Sequence, residues 1–435
     1  MSALKTAIAR SFTQIYTHPG LRRARRARAA WWRTLTRASA QVHYFHQADD
    51  SYSHLCAQVL VRLAADYQIA LLPHLVSPPQ SSAAPERARL AHWSLRDAAT
   101  LAQAFGLHAP QASSGVLPQA AAVQAAEAAL AQALDAGNFV AQAASISANL
   151  WQPEASFEAP SAAALQRAAN AKTEGDALRQ RRGHYLGATF YYAGEWYWGL
   201  DRLHYLEARL RDEGLCRNPA LPLIAPVHEV TLAPLHGQRA APGTTLDYFL
   251  SFRSPYTYIA LPRVRALAAH YGAELRLRFV LPMVMRGLPV PVEKRLYIVS
   301  DVAREAQRLA MHFGKVVDPV GKPVERGYAL LNRAIAAGKG VEFAESFLQG
   351  VWADGLDAGT HADLDAIAAR VGFDAAWVQA ALPDESWRAV AAANREELLG
   401  MELWGVPSFR VNDLPGQWGQ DRLWVIEQEL RATLD

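Results

Sequence analysis

Ser254, followed by Pro255, stands where an alternating, aromatic-rich stretch beginning at Leu246 gives way to a helical tract that reaches Tyr271. Serine suits a helix N-cap and proline suits the first helical position. Such a helix start carries unpaired N–H groups and a partial positive charge, so a hydroxyl there can help to hold an anion such as a thiolate. The two cysteines offer less. Cys56 and Cys216 lie far apart in neither a C-x-x-C nor a metal-ligand spacing, which argues against a disulfide scaffold or a dithiol site and fits a reducing, cytoplasmic setting. Cys56, one turn into a helical tract, reads as a buried apolar thiol. His43, His46 and His54 gather near Asp49-Asp50, but strand alternation puts His43 and His46 on opposite faces, and no metal site is expected.

The elements that must position Ser254 occur twice. With Val42 set opposite Leu246, Tyr44-Phe45 matches Tyr248-Phe249, Tyr52-Ser53 matches Tyr256-Thr257, and Asp50 faces Ser254. Each copy continues from strand to helix (Leu55 to Tyr67; Ile259 to Tyr271), then to an apolar strand (Ile69 to Val76; Glu274 to Leu281) and a Pro-rich loop. A long helical tract follows, and each copy closes with strand, turn, strand and helix around a shared W-G-x-D-R-L, at Trp198–Leu203 and Trp418–Leu423. The pattern predicts an α/β protein of two tandem domains, each β-α-β, helical insertion, β-β-α, with a four- or five-stranded mixed sheet.

At 435 residues, 51% hydrophobic and 20% charged, the chain is a two-domain globular protein with no apolar run long enough to span a membrane. Its net charge of +3 conceals an asymmetry. Residues 1–41 hold nine bases and no acid, whereas the rest carries 35 bases against 41 acids, or −6, which argues against nucleic-acid binding by the body. The expected organisation is a basic helical arm over 1–41, a first domain over 42–210, a Pro-rich extended linker over 211–245 and a second domain over 246–435. For the arm, attachment to an anionic surface competes with a simpler expectation, a solvated helix that packs Trp31 and Trp32 onto the body.

Three stretches of the second copy resemble the 2-hydroxychromene-2-carboxylate isomerase and kappa-class glutathione transferase family, a branch of DsbA-like thioredoxin folds. They are Y-F-L-S-F-R-S-P-Y-T-Y-I-A, P-V-E-K-R-L-Y-I-V-S-D-V-A-R-E-A, and G-V-P-S-F followed by W-G-Q-D-R-L. The first copy resembles the same fold more weakly. The resemblance implies glutathione as cofactor, with Ser254 supporting its thiol in catalysis beside Pro255. It implies a cis bond at Val406-Pro407 whose backbone pairs with glutathione, and contacts from Gln420, Asp421 and Lys294, with Tyr297 near Lys294. The implied activity is glutathione-dependent isomerisation or transfer on a small aromatic or enone-like substrate. The loop M-R-G-L-P-V-P departs from the family, which places an asparagine before the prolines. In the first copy Asp50 replaces Ser254, Ser51 replaces Pro255 and Ala188 replaces Pro407, which implies lost glutathione chemistry. The rival expectation is a non-catalytic tandem protein that binds a peptide or protein partner; the oligomeric state is left open.

Overall fold

The computed structural model describes residues 3–111 and 116–435, with side chains from residue 10 onward. By contact the chain forms an N-terminal unit (Ala24–Val227 with Pro291–Lys294) and a C-terminal unit (Met1–Arg23, His228–Val290 and Arg295–Asp435). Helix α1 (Ala3–Thr17) belongs to the C-terminal unit, where the Ser300 hydroxyl donates to the Tyr16 hydroxyl at 2.9 Å. Helix α2 (Pro19–Thr36) begins in that unit and continues in the N-terminal one. The packing of Trp31 and Trp32 onto the body is not observed: they are 60% and 59% exposed. The arginines on the opposite side of α2 account for this. Arg26 makes a bidentate ion pair with Glu195 at 2.6 and 2.7 Å and Arg33 pairs with Glu213 at 3.2 Å, so the charged face turns inward and the tryptophans outward.

The rest of the N-terminal unit runs β1 (Ala40–His46), α3 (Ser51–Asp66), β2 (Ile69–Leu75), then a helical insertion of α4 (Arg87–Phe105), α5 (Ala120–Asp135), α6 (Phe139–Leu150) and α7 (Ala162–Arg181), then β3 (Thr189–Tyr192), β4 (Glu195–Trp198) and α8 (Leu203–Asp212). Its sheet has the order β2-β1-β3-β4, with β1 and β2 parallel and the other pairs antiparallel. The C-terminal unit repeats this as β5 (Thr245–Leu250), α9 (Pro255–Tyr271), β6 (Glu274–Phe279), an insertion of α10 (Val292–Arg308), α11 (Lys322–Ala336), α12 (Gly340–Trp352), α13 (His361–Ala369), α14 (Ala375–Ala381) and α15 (Trp387–Gly400), then β7 (Ser408–Val411), β8 (Gln417–Trp418) and α16 (Leu423–Arg431). Its order is β6-β5-β7-β8 with the same parallel pair. Each unit has its own core, from Val42, Tyr44, Leu60 and Phe190 in one and Leu246, Tyr248, Val264 and Phe409 in the other.

Buried hydrogen bonds repeat with the strands. Tyr44, Tyr52 and Tyr67 recur 204 residues on as Tyr248, Tyr256 and Tyr271. Tyr44 and Tyr248 donate to the carbonyls of Ser53 and Thr257. Tyr52 and Tyr256 donate to Asp97 and Asp301 at 2.8 and 2.7 Å. Tyr67 and Tyr271 donate to Glu207 and Glu427 at 2.9 and 3.1 Å. These two buried glutamates also accept backbone N–H bonds from the stretch expected to be a linker: Ile224 and Ala225 bind Glu207, and Thr231 binds Glu427. That stretch lacks regular secondary structure over most of its length, yet each of its two halves is tied down within its own unit.

Candidate functional site

Strand β5 ends at Leu250, and after Ser251–Arg253 the chain enters α9 with Ser254 as its N-cap in extended backbone (φ −98°, ψ 112°). The Ser254 Oγ accepts from the Thr257 N–H at 3.3 Å and donates to the Val406 carbonyl at 3.3 Å. The Val406–Pro407 bond is cis. A hydroxyl at a positive helix end thus meets a backbone carbonyl 152 residues away, and Pro255 and Pro407 are buried beside them in the chain.

The turn that carries Val406 is held from three sides. The Pro407 carbonyl accepts from the Gly419 N–H at 2.9 Å, which ties the turn to the start of the last helix. A Cβ built on Gly405 would lie 2.1 Å from the Trp418 ring, so only glycine fits against it. The Trp404 and Trp418 rings meet at 4.5 Å and 62°, and Arg286 donates to the Trp404 carbonyl at 3.1 Å. On the other flank Arg253 forks onto Asp318 with two bonds of 2.8 Å, fixing the residue before Ser254.

The remaining residues suggested by the sequence lie elsewhere or are already engaged. Gln420 is buried: Arg263 donates to its Oε1, and its amide donates to Glu305 at 3.2 Å and to Asp421. Asp421 is half-buried and receives that amide. Lys294 groups with the N-terminal unit, where its ammonium donates to the Ala83 carbonyl at 2.8 Å and burial lowers its pKa to about 8. Tyr297 is buried. The structure therefore assembles Ser254, Pro255, Val406 and Pro407, with Gln420 and Asp421 close behind the turn through Gly419. Sequence reasoning missed Arg253, Arg286, Trp404 and Asp318. Of these only Trp404 and Arg253 carried a signal, by adjoining G-V-P and Ser254.

In the N-terminal unit the equivalent place is built differently. Asp50 caps α3, accepting from the Tyr52 and Ser53 N–H groups, and burial pushes its pKa up to about 6. The pairings Phe45↔Thr189 and Phe249↔Ser408 put Ala188 at the level of Pro407. Where proline has no N–H, Ala188 donates to the Ser53 Oγ at 3.0 Å, while its carbonyl accepts from Gly199 at 2.8 Å as that of Pro407 does from Gly419. Cys56 is fully buried, and burial pushes its thiol pKa up. Among the described residues no group of three or more His, Cys, Asp or Glu could hold a metal ion. A cleft of about 800 Å³ lined by Leu117, Leu150, Trp151 and Phe157 lies in the insertion of this unit and touches none of the residues around Ser254.

Residues 245–431 match the DSBA-like thioredoxin domain family. Over 191 residues, 42% of this chain, the protein is 25% identical to 2-hydroxychromene-2-carboxylate isomerase of Pseudomonas sp. (strain C18), of which 88% is covered. The same enzyme of Pseudomonas putida is 23% identical over 194 residues, covering 42% of this chain and 93% of the relative. A solved structure of 2-hydroxychromene-2-carboxylate isomerase aligns with a TM-score of 0.37 at 21% identity, covering 43% of this chain and 95% of that one. Among the described residues no helix is long and apolar enough to cross a membrane.

Proposed function

We propose that the DsbA-like thioredoxin domain of residues 245–431 is a cytoplasmic, glutathione-dependent isomerase or transferase, with Ser254 as the residue that orients the sulfur. The observation that carries this reading is the 3.3 Å bond between the Ser254 hydroxyl and the carbonyl before a cis proline. That bond is long for a hydroxyl donor and is readily exchanged. The Ser254 proton is then offered to a thiolate, and the Val406 carbonyl is left to accept from a peptide N–H. The α9 N-terminus adds a positive end that favours the ionised sulfur. These groups fit the thiol and peptide backbone of glutathione, whereas a serine in place of a cysteine cannot form a mixed disulfide. When bound, glutathione supplies a thiolate nucleophile for an electrophilic carbon of an aromatic or enone-like substrate. The curated relatives, both 2-hydroxychromene-2-carboxylate isomerases, support the isomerase class. Arg286 occupies the loop that departs from the family, and we assign no particular substrate to this chain.

Isothermal titration of the full chain with glutathione tests the reading. Binding that falls at least tenfold in Ser254→Ala supports it. No binding, or equal binding by both, overturns it and leaves the non-catalytic partner-binding alternative.

A further inference from the structure

The outward face of α2 is the least explained surface of the molecule. Arg28, Trp31 and Leu35 recur at helical spacing, with Arg25 and Trp32 flanking them, so the five make one stripe. Trp31, Trp32 and Leu35 are each about 60% exposed, and Arg25 and Arg28 are exposed without an ion-pair partner among the described residues. The inward arginines are, by contrast, committed: Arg26 to Glu195 and Arg33 to Glu213. Among the described residues, five of the fifteen exposed large hydrophobic side chains (Phe12, Ile15, Trp31, Trp32 and Leu35) fall within one short stretch.

We propose that this stripe docks the protein on an anionic phospholipid bilayer, with α2 lying in the plane of the interface. Charge and shape agree on that occupant. Residues 1–41 hold nine bases and no acid while the rest is −6, so an anionic surface attracts the arm and repels the body. Tryptophan prefers the headgroup boundary, leucine reaches the acyl chains, and arginine keeps its charge in the headgroup layer over an apolar stem. The inward ion pairs hold the stripe in place without ligand, so little order must be gained on docking. A nucleic acid would use the arginines and stack on the tryptophans but would leave Leu35 unaccounted for.

Co-sedimentation of the full chain with vesicles of phosphatidylcholine containing about a third phosphatidylglycerol tests this, with pure phosphatidylcholine as comparison. Binding is expected to the anionic vesicles alone, with a blue shift of tryptophan emission and a steep loss in salt. The pair Arg25→Ala and Arg28→Ala should weaken it about 25-fold, at about fivefold per basic residue. Trp31→Ala with Trp32→Ala should weaken it at least tenfold, whereas Val61→Ser, another exposed apolar position, should not change it. Failure to bind anionic vesicles, equal binding to neutral ones, insensitivity to the four substitutions, or capture of a single-stranded oligonucleotide in place of vesicles would each overturn the proposal.

Discussion

A cap residue can be judged by what it gives the helix and by what it leaves for a ligand. The Ser254 Oγ gives α9 one accepted N–H bond, from Thr257, and leaves its own proton on the Val406 carbonyl. Ser254→Ala should therefore cost about 1 kcal/mol of stability in urea unfolding, the usual worth of such a cap, besides its loss of glutathione binding. Ser254→Thr keeps cap and hydroxyl and should stay near the parent in both measurements. Ser254→Asp keeps a cap, as Asp50 does in the other unit, but sets a carboxylate where the sulfur would lie. It should retain most of the stability and lose glutathione affinity more than tenfold. Parent-like affinity in the Asp variant would remove the hydroxyl from the proposed mechanism.

The elements carry the repeated pattern more faithfully than the site does. In each unit a tyrosine of the first helix donates to an aspartate at the same place in the first insertion helix, Tyr52 to Asp97 on α4 and Tyr256 to Asp301 on α10. Both carboxylates are almost wholly buried, and removing a donor from such a group costs about 1–3 kcal/mol. Tyr52→Phe and Tyr256→Phe should each lower the unfolding free energy measured in urea by that margin, and a neutral result in either would make the bond incidental. The strand and helix order was legible in the sequence because it rests on local periodicity, capping and a repeat spaced by 204 residues before the insertion and 220 after it. Ser254 was legible as a cap, a local pattern, whereas the cis turn at Val406–Pro407 was legible only through the family resemblance, since an X-Pro step by itself favours trans. Contacts between distant segments were not. Lys294 is engaged by the Ala83 carbonyl, and a backbone acceptor leaves no mark in the sequence. Gln420 is enclosed by Arg263 and Glu305, which only the packing of α9 and α10 brings to it. The outward tryptophans of α2 depend on Glu195 and Glu213, far along the chain.

Across the whole molecule, one pair of positions separates the two units electrically. In the C-terminal sheet Asp247 is buried and pairs with Arg278 at 2.9 Å and Arg410 at 2.6 Å. The same two positions in the N-terminal sheet are His43 and His74, joined at 2.9 Å, with Arg182 at 3.0 Å from the other His43 nitrogen. Burial first, and then neighbouring positive charge, lowers the pKa of both to about 4. Burial likewise lowers His46, on the Tyr44 hydroxyl, to about 3 and His54, beside Ser147 and the His108 carbonyl, to about 4. In the unfolded chain these imidazoles titrate near 6.5. Folding stability from them is thus complete above about pH 6.5 and is lost as pH falls toward 4, because only the unfolded state takes up protons in that window. Asp50, raised to about 6, acts in the opposite sense: its contribution is present in acid and is lost between about pH 4 and 6. Glu207, whose pKa burial also raises, acts in the same sense as Asp50, but four histidines outweigh two carboxyls, so the N-terminal unit should open more readily at pH 5 than at pH 7.5. Hydrogen exchange of the full chain, corrected for its intrinsic pH dependence and resolved by peptide, reads that difference unit by unit. Replacing His43→Asp together with His74→Arg transplants the ion pair of the other sheet and should flatten part of the acid dependence while the His46 and His54 share remains. Equal protection of the N-terminal unit at both pH values would show that its buried imidazoles accept protons without cost to the fold.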